Sequence, residues 1–225
     1  METFYSIQGE GFHTGTPAFF IRLAGCDAGC HWCDVKESWS TENYSVKSID
    51  EIVSEVEAYF PSPNGGGKGG GSVIVTGGEP LMYNLDMLTK KLKSAIPPSV
   101  RWNTDSVPFV GGGGGALHLE TSGAYPLSGE WDWICLSPKK FKTPLQEVFS
   151  KANELKVIIY NKDDFRFAEE CASLLPSPAG EGLGVRSLQP EWSKRNEMLP
   201  LIVEYVQQNP KWRISLQTHK YIGVR

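Results

Sequence analysis

The chain has 225 residues, of which 40% are hydrophobic and 21% charged, and its net charge at pH 7 is −4. This length suits one globular domain, or at most two small ones, with a real hydrophobic core. The acidic balance argues against a protein that coats nucleic acid, and no apolar run is long enough to predict a membrane helix. The first residues lack the basic and apolar segments of a signal peptide, so we expect a cytoplasmic protein without nucleic-acid or membrane partners.

The 24 glycines are unevenly distributed along the sequence. Most of them fall in three stretches that are also rich in proline or serine, a composition that is costly to order and buries little apolar surface. We interpret these stretches as surface insertions in a single domain that spans residues 1–225, and not as domain boundaries. The insertions lie near residues 61–72, 104–115 and 176–187.

Outside the insertions, short apolar strands alternate with amphipathic helices. A short strand around Tyr5 comes first, and further strands are predicted at residues 18–23, 72–76, 116–121, 132–136, 154–160 and 213–217, with VRSL (185–188) as another strand end. Helices are predicted at residues 48–60, 84–95, 163–175 and 191–208. Ser48 and Glu51 have capping-box spacing, and a further helix is expected to open with Thr143 as its cap and Pro144 in its first turn.

This alternation predicts a mostly parallel sheet with helices outside it. The chain is too short for a closed eight-stranded barrel, which needs about 250 residues, so the expected α/β fold is a partial, open TIM-like barrel. In such sheets the chemistry gathers where the strands end. The most distinctive motifs all follow predicted strands: the first cysteine, GGEP (77–80), ETSG (120–123), SPK (137–139) and QPEW (189–192).

Three cysteines, Cys26, Cys30 and Cys33, have the spacing C-x3-C-x2-C. Disulfides are disfavoured by the expected compartment and by the odd number of closely spaced thiols. A zinc site needs four ligands, and the second cysteine pair is missing, although His31 or Asp34 would be available.

A ferredoxin-type cluster needs a fourth cysteine. The remaining cysteines, Cys135 and Cys171, are isolated in a predicted strand and a predicted helix, where a buried apolar role is the simpler interpretation. A [4Fe–4S] cluster held by only three thiolates leaves one iron open, and that iron can chelate S-adenosyl-L-methionine (SAM). The cysteine spacing, with Trp32 before the third cysteine, resembles the pattern of the radical SAM superfamily.

The GGEP segment strengthens this resemblance. Adjacent glycines after a buried strand allow the backbone to approach a ligand closely, although a plain strand-to-helix turn would also explain them. Gly77, Gly78 and Glu79 resemble the superfamily's site for the amino group of SAM.

The N-terminal segment carries polar residues that point to a substrate. Arg22 interrupts the apolar strand FFIRL, where a charge needs a partner, and an anionic substrate group would serve. Gln8 and Glu10 in QGEG are further candidates around the cysteine loop. The alternatives are a surface turn at QGEG and a strand-edge charge at Arg22.

Eight motifs together resemble the 7-carboxy-7-deazaguanine synthases, and they span nearly the whole chain outside the insertions: SIQGEG, TP-x-FFIRL-x-GC, C-x3-C-x2-CD, TGGEP, ETSG, LSPK, LQPEW and SLQTHK. The resemblance implies a radical SAM carbon–nitrogen lyase. Such an enzyme contracts 6-carboxy-5,6,7,8-tetrahydropterin to 7-carboxy-7-deazaguanine with loss of ammonia, in the biosynthesis of preQ0 and of queuosine for tRNA modification. It also implies a homodimer, a flavodoxin- or ferredoxin-type electron donor, and SAM that is regenerated rather than consumed.

The resemblance assigns roles residue by residue. Cys26, Cys30 and Cys33 correspond to the cluster ligands. The SAM contacts correspond to Trp32, Cys33, Asp34, Gly77, Gly78, Glu79, Ser122, Ser137, Pro138, Lys139 and Gln189. The substrate contacts correspond to Ile7, Gln8, Gly9, Glu10, Arg22, Thr76, His219 and, through its terminal carboxylate, Arg225. For Ser122, Lys139 and Gln189, local turn or cap chemistry stays an alternative.

One position departs from the family. A Thr or Ser usually follows the Cys-Asp pair, and its hydroxyl helps to bind a Mg²⁺ that also touches the substrate. Here the residue is Val35, which offers no side-chain oxygen, whereas magnesium prefers oxygen ligands. A magnesium site near Asp34 and Val35 is therefore left open.

Two other functions compete with the synthase. A glycyl-radical-enzyme activase shares the cysteine motif and the partial barrel, but it acts on a protein and would not need SIQGEG, Arg22 or the C-terminal Gln-Thr-His (217–219). A metalloprotein without catalytic activity would use the cysteines to hold zinc.

Overall fold

A computed structural model of the chain describes residues 1–42, 44–60, 71–96, 117–176 and 184–224. Most residues of the three predicted insertions, and Arg225, lie outside the described residues. The described strands form one sheet in chain order: β1 (Glu2–Ile7), β2 (Pro17–Leu23), β3 (Ser72–Gly77), β4 (Leu117–Thr121), β5 (Trp133–Leu136), β6 (Glu154–Ile159), β7 (Val185–Pro190) and β8 (Arg213–Ile214).

The sheet is mostly parallel and open, as the sequence predicts. β1 runs antiparallel to β2, and every later neighbouring pair is parallel. Among the described residues, the two edge strands β1 and β8 do not pair with each other, so the barrel has a seam on one side. The strand ends agree with the predicted ones within about two residues, which is the usual uncertainty of element ends, except at β8.

The described residues form six α-helices, five between strands and one after β8: α1 (Ile49–Glu57), α2 (Asp86–Ala95), α3 (Gln146–Lys151), α4 (Asp163–Ser173), α5 (Arg195–Gln208) and α6 (Thr218–Ile222). The predicted capping box at the start of α1 is confirmed, because Glu51 N donates to Ser48 Oγ and Ser48 N donates to the Glu51 carboxylate. None of the described helices is long and apolar enough to cross a membrane.

Three predicted elements were wrong in detail. Thr143 does not cap a helix: α3 begins only at Gln146, because Leu145 has an extended backbone and its N donates to Gly123 O (2.8 Å). The last strand stops at Ile214 and not at residue 217, because Ser215 turns its hydroxyl towards Gln189 and the loop after β1. The helix predicted from residue 191 begins as a 3₁₀ turn at Trp192–Lys194 and becomes α-helical at Arg195.

One face of the sheet packs against the helices, and the other lines a cavity. On β2, the side chains of Phe19, Ile21 and Leu23 belong to the main hydrophobic core that the helices cover. Alternate positions point to the other face, where Phe20 packs in a smaller apolar cluster and Arg22 lines a cavity. The helices therefore stabilise the fold from outside and leave the inner face free for chemistry.

Candidate active site

A cavity of about 290 Å³ lies inside the open sheet, where the parallel strands end. The last residues of β3, β4 and β7, and the segments that follow β1, β2 and β5, all contribute to its wall. The cavity brings together every described residue that the sequence assigned to a site, with the exception of Pro138. Arg225 lies outside the described residues.

The cysteines lie on the loop that follows β2. Cys26, Cys30 and Cys33 are free thiols and all line the cavity. The backbone fixes this loop, because Gly25 N donates to Ser38 O (2.7 Å) and Cys33 N donates to Cys30 O (2.9 Å). Burial raises the pKa of the Cys26 and Cys30 thiols, so the protein alone does not stabilise them as thiolates.

The two residues that would complete a zinc site have other partners. The ring of His31 packs edge-on against Trp32 and Tyr160, at centroid distances of 4.3 and 4.9 Å. The Asp34 carboxylate binds the side chains of Gln217 and Lys220. Among the described residues, three thiols whose candidate fourth ligands have other partners fit a [4Fe–4S] cluster with one open iron better than they fit a structural zinc ion.

The two glycines of GGEP are required by a close approach of two loops. A Cβ on Gly77, which has φ +129°, would lie 2.1 Å from Leu23 O. A Cβ on Gly78 would lie 2.1 Å from Gly25 O and 3.2 Å from the Cβ of Cys26. The GGEP backbone therefore packs directly against the cysteine loop, where a cofactor bound to the cysteines would meet it.

Glu79 connects GGEP to ETSG. Its buried carboxylate accepts hydrogen bonds from Leu81 N (3.1 Å), Thr121 Oγ1 (2.5 Å), and both the backbone N (2.8 Å) and Oγ (2.5 Å) of Ser122. A carboxylate has about four acceptor positions, and these donors fill them. Glu79 thus holds the ends of β3 and β4 together, and the predicted contact with the SAM amino group stays a prediction.

On the same side of the cavity, Trp32 packs against Tyr160 and Phe141, both at 5.9 Å between ring centroids. The Lys139 ammonium donates to Ser137 Oγ (2.9 Å), and burial lowers the pKa of Lys139. The side of the cavity next to the cysteines therefore offers an aromatic edge and a cation.

The predicted substrate residues surround a network of carboxylates. Gln8 Nε2 (2.8 Å) and Thr76 Oγ1 (2.9 Å) both donate to the carboxylate of Glu120, on β4. Sequence reasoning missed Glu120, although it begins the ETSG motif, because only the serine of that motif was given a role. Its position between two predicted substrate contacts makes it a further candidate.

Glu10 has a strong partner that the sequence analysis also missed. Lys156 on β6 places its ammonium 2.5 Å from Glu10 Oε2, and Gln217 Nε2 donates to Glu10 Oε1 (2.9 Å). Burial opposes ionisation of Glu10, but the charge of Lys156 and hydrogen bonds from Lys156, Gln217 and Gln189 outweigh it and lower the pKa of Glu10 to about 2. The available signal was a lysine inside the apolar strand ELKVII, the same kind of signal that marked Arg22.

Arg22 has a protein partner across the first two strands. Its Nη1 lies 2.7 Å from Glu2 Oε1, in register with the β1–β2 pairing, and its guanidinium lies over the ring of Phe4. The ion pair with Glu2 therefore compensates the charge of Arg22 even when no ligand is bound. Arg22 nevertheless faces the cavity, and its contact with an anionic substrate group stays a prediction.

The loop after β1 and the segment after β8 meet across the seam of the barrel. Thr218 donates to Gly9 O from both its backbone N (2.8 Å) and its Oγ1 (2.9 Å), and Gly11 N donates to Ser215 Oγ (2.8 Å). A Cβ on Gly9 would lie 2.1 Å from Nδ1 of His219. Burial lowers the pKa of His219, which favours its neutral imidazole.

Comparisons with known proteins agree with this geometry. Residues 20–135 match the model of the radical SAM superfamily. A 7-carboxy-7-deazaguanine synthase from Flavobacterium psychrophilum is 50% identical over 224 residues, which cover 100% of this chain and 91% of the relative. Another from Synechocystis is 44% identical over 225 residues, which cover 100% of this chain and 92% of the relative.

A solved structure, QueE from Escherichia coli, superposes with a TM-score of 0.73 at 27% identity, over 97% of this chain and 92% of that chain. The sequence relatives and the structural neighbour cover the cysteine loop, the sheet and the segments that meet across the seam. The chain therefore belongs to the 7-carboxy-7-deazaguanine synthase family of the radical SAM superfamily.

Proposed function

We propose that this chain converts 6-carboxy-5,6,7,8-tetrahydropterin to 7-carboxy-7-deazaguanine and ammonia. Substrate and product differ in composition by one ammonia, so the overall reaction needs no external oxidant, which suits a SAM cofactor that is regenerated. The observation that carries the proposal is the single cavity in which the cysteine loop, the GGEP segment and the carboxylate network around Gln8 face one another.

Cys26, Cys30 and Cys33 would hold the cluster, and the aromatic and glycine-rich wall beside them would hold SAM. When bound, the cluster and SAM supply a carbon-centred radical that abstracts a hydrogen atom. The protein's contribution at this end is to fix the cysteine loop against GGEP, because Gly78 has no Cβ and the two backbones can meet.

The other end of the cavity suits a reduced pterin. Its ring N–H groups and its amino group need acceptors, which the carboxylates of Glu10 and Glu120 and the side-chain oxygen of Gln8 provide. With a pKa of about 2, Glu10 is ionised at pH 7, which strengthens the hydrogen bonds it accepts. Arg22 would face the substrate carboxylate, and His219 would contact the ring as a neutral imidazole.

The remaining features of the proposal follow from the family. We expect one domain over the whole chain, a homodimer, a flavodoxin- or ferredoxin-type electron donor, and a cytoplasmic enzyme whose product enters queuosine biosynthesis for tRNA modification.

The test is an anaerobic reconstitution with iron and sulfide, followed by SAM, a reductant and carboxytetrahydropterin. Carboxydeazaguanine detected by mass spectrometry, in catalytic amounts relative to SAM, supports the proposal. Deoxyadenosine without that product would show that the substrate is wrong and would favour an activase that acts on a protein. A protein that binds no iron and cleaves no SAM would contradict the radical mechanism altogether.

A further inference from the structure

The loop after the cysteines lacks a magnesium ligand at the position where the family resemblance implies one. Val35 replaces the usual Thr or Ser, and it lines the cavity. Its carbonyl oxygen accepts hydrogen bonds from both Ser38 N (2.9 Å) and Ser38 Oγ (2.7 Å), which uses both lone pairs. Val35 therefore offers a metal ion neither a side-chain nor a backbone oxygen.

Asp34, the nearest carboxylate in the sequence, is already held by a cation. Lys220 Nζ lies 2.8 Å from Asp34 Oδ1, and Gln217 Nε2 donates to Oδ2 (2.6 Å). The same ammonium lies 4.8 Å from the ring centroid of Trp192 and donates to Gln217 Oε1 (3.1 Å), so several contacts fix its position. Magnesium would have to approach an Asp34 oxygen to about 2 Å, beside this positive charge, and the two cations repel each other.

The other carboxylates of the cavity wall have partners as well. Glu10 binds Lys156 and Gln217, Glu79 accepts four hydrogen bonds, and Glu120 accepts from Gln8 and Thr76. None of these three carboxylates lies on the loop that carries Val35, so none stands in the place of the missing hydroxyl. The residues present do not fit a magnesium site.

A cationic side chain can neutralise a substrate anion in place of a metal ion. Arg22 faces the cavity and uses one N–H group on Glu2, out of the five that a guanidinium carries. A planar guanidinium pairs with a carboxylate through two parallel hydrogen bonds, which gives orientation as well as charge. An anionic group placed beside Arg22 would need no divalent cation to be bound.

We infer that this chain binds and converts its carboxylated substrate without magnesium, with Arg22 as the cation that the substrate carboxylate meets. The inference rests on the proposed function. It makes Val35 a specificity-determining residue for the metal requirement of the reaction, and Lys220 the residue that keeps a metal ion away from Asp34.

The experiment uses the reconstituted enzyme in buffers freed of divalent cations, with iron content and cluster absorbance checked after the treatment. Product formation and the KM for carboxytetrahydropterin are measured with and without added Mg²⁺. We expect a change of less than about twofold, whereas loss of a metal ion that bridges enzyme and substrate would cost about tenfold or more. A tenfold rise in KM on metal removal would overturn the inference alone, and absence of product in both conditions would overturn the proposed function with it.

A second readout does not depend on turnover. Mn²⁺, a spectroscopic probe for magnesium sites, is titrated into the enzyme with and without substrate, and free Mn²⁺ is followed by electron paramagnetic resonance. The unmodified enzyme should show no substrate-dependent uptake of Mn²⁺. The variants Val35→Thr and Val35→Thr/Lys220→Met restore the hydroxyl and remove the competing cation, so at least the double variant should take up Mn²⁺. Uptake by the unmodified enzyme, or failure of both variants to gain it, would overturn the role of Val35.

Discussion

The two ends of the cavity are built in different ways. At the proposed cofactor end, the cysteine loop is fixed and joined to GGEP by backbone contacts, such as Gly25 N to Ser38 O and Gly78 N to Leu23 O. At the substrate end, the site depends on side chains that are far apart in sequence: Glu10 and Lys156 are separated by 146 residues, and Gln8 and Glu120 by 112. Local backbone geometry therefore shapes the proposed cofactor end, and long-range polar pairs shape the proposed substrate end.

The largest expected effect comes from a cysteine substitution, which should affect the cofactor end of the cavity. Cys30→Ala should abolish both the cluster and product formation, because two thiolates cannot hold a [4Fe–4S] cluster with the required open iron. Cys171→Ala is the matched control, since Cys171 is buried in α4 outside the cavity and should lose only packing energy. Iron content and cluster absorbance are measured for both variants. A Cys30→Ala protein that keeps its cluster would contradict the assignment of the ligands.

Removal of Lys156 should damage the substrate end and leave the cofactor end intact. Lys156→Met leaves the Glu10 carboxylate in the cavity without its ion-pair partner, which typically costs about 3–5 kcal/mol of unfolding free energy. Urea unfolding measures the loss, and iron content should be unchanged. In the double variant Lys156→Met/Glu10→Gln, the unpaired charge is gone, so part of the stability should return. A double variant as unstable as Lys156→Met would mean that packing, and not charge, accounts for the effect.

The pH dependence of stability gives an independent measure of the same pair. The pKa of Glu10 lies at about 2, below the ordinary 4.5, so its ionised form stabilises the folded state above pH 4.5 and this contribution is lost as the pH falls towards 2. The unfolding free energy of the unmodified protein should exceed that of Glu10→Gln by on the order of 2 kcal/mol at pH 7. The difference should shrink below pH 4.5, and a constant difference down to pH 3 would contradict the ion pair.

The last of these tests concerns Glu120 and measures activity instead of stability. Glu120→Gln keeps the shape of the side chain but places a donor opposite Gln8 or Thr76, both of which donate to the carboxylate. Loss of a hydrogen bond to a charged group costs about 1.5–3 kcal/mol, so kcat/KM for the pterin should fall by at least about tenfold. SAM affinity should be unchanged, and Glu130→Gln, at an exposed position, serves as the control. An equal loss in both variants would remove Glu120 from the substrate site.

The difference between the two ends of the cavity also explains what could be predicted from the sequence. The open parallel barrel follows from the alternation of strands and helices, and the cofactor end follows from short motifs whose residues are neighbours both in sequence and in space. The contacts of Lys156 and Gln217 with Glu10 could not be predicted, because the barrel geometry brings these residues together and local spacing does not. The start of α3 was misjudged for a similar reason: a backbone contact with Gly123, across the ends of two strands, overrides the capping pattern at Thr143.

The polar contacts across the seam impose an order on the assembly of the enzyme. Asp34 and Gln217 touch one another although 183 residues separate them, and Thr218 meets Gly9 across 209 residues. During synthesis on the ribosome, the cysteine loop is complete long before residues 215–219 emerge, and closing so long a chain segment is entropically the later event. We therefore expect the seam of the barrel to close last. A nascent or partly folded chain would then expose its three thiols to the proteins that deliver iron and sulfur before the adjacent cavity wall has formed.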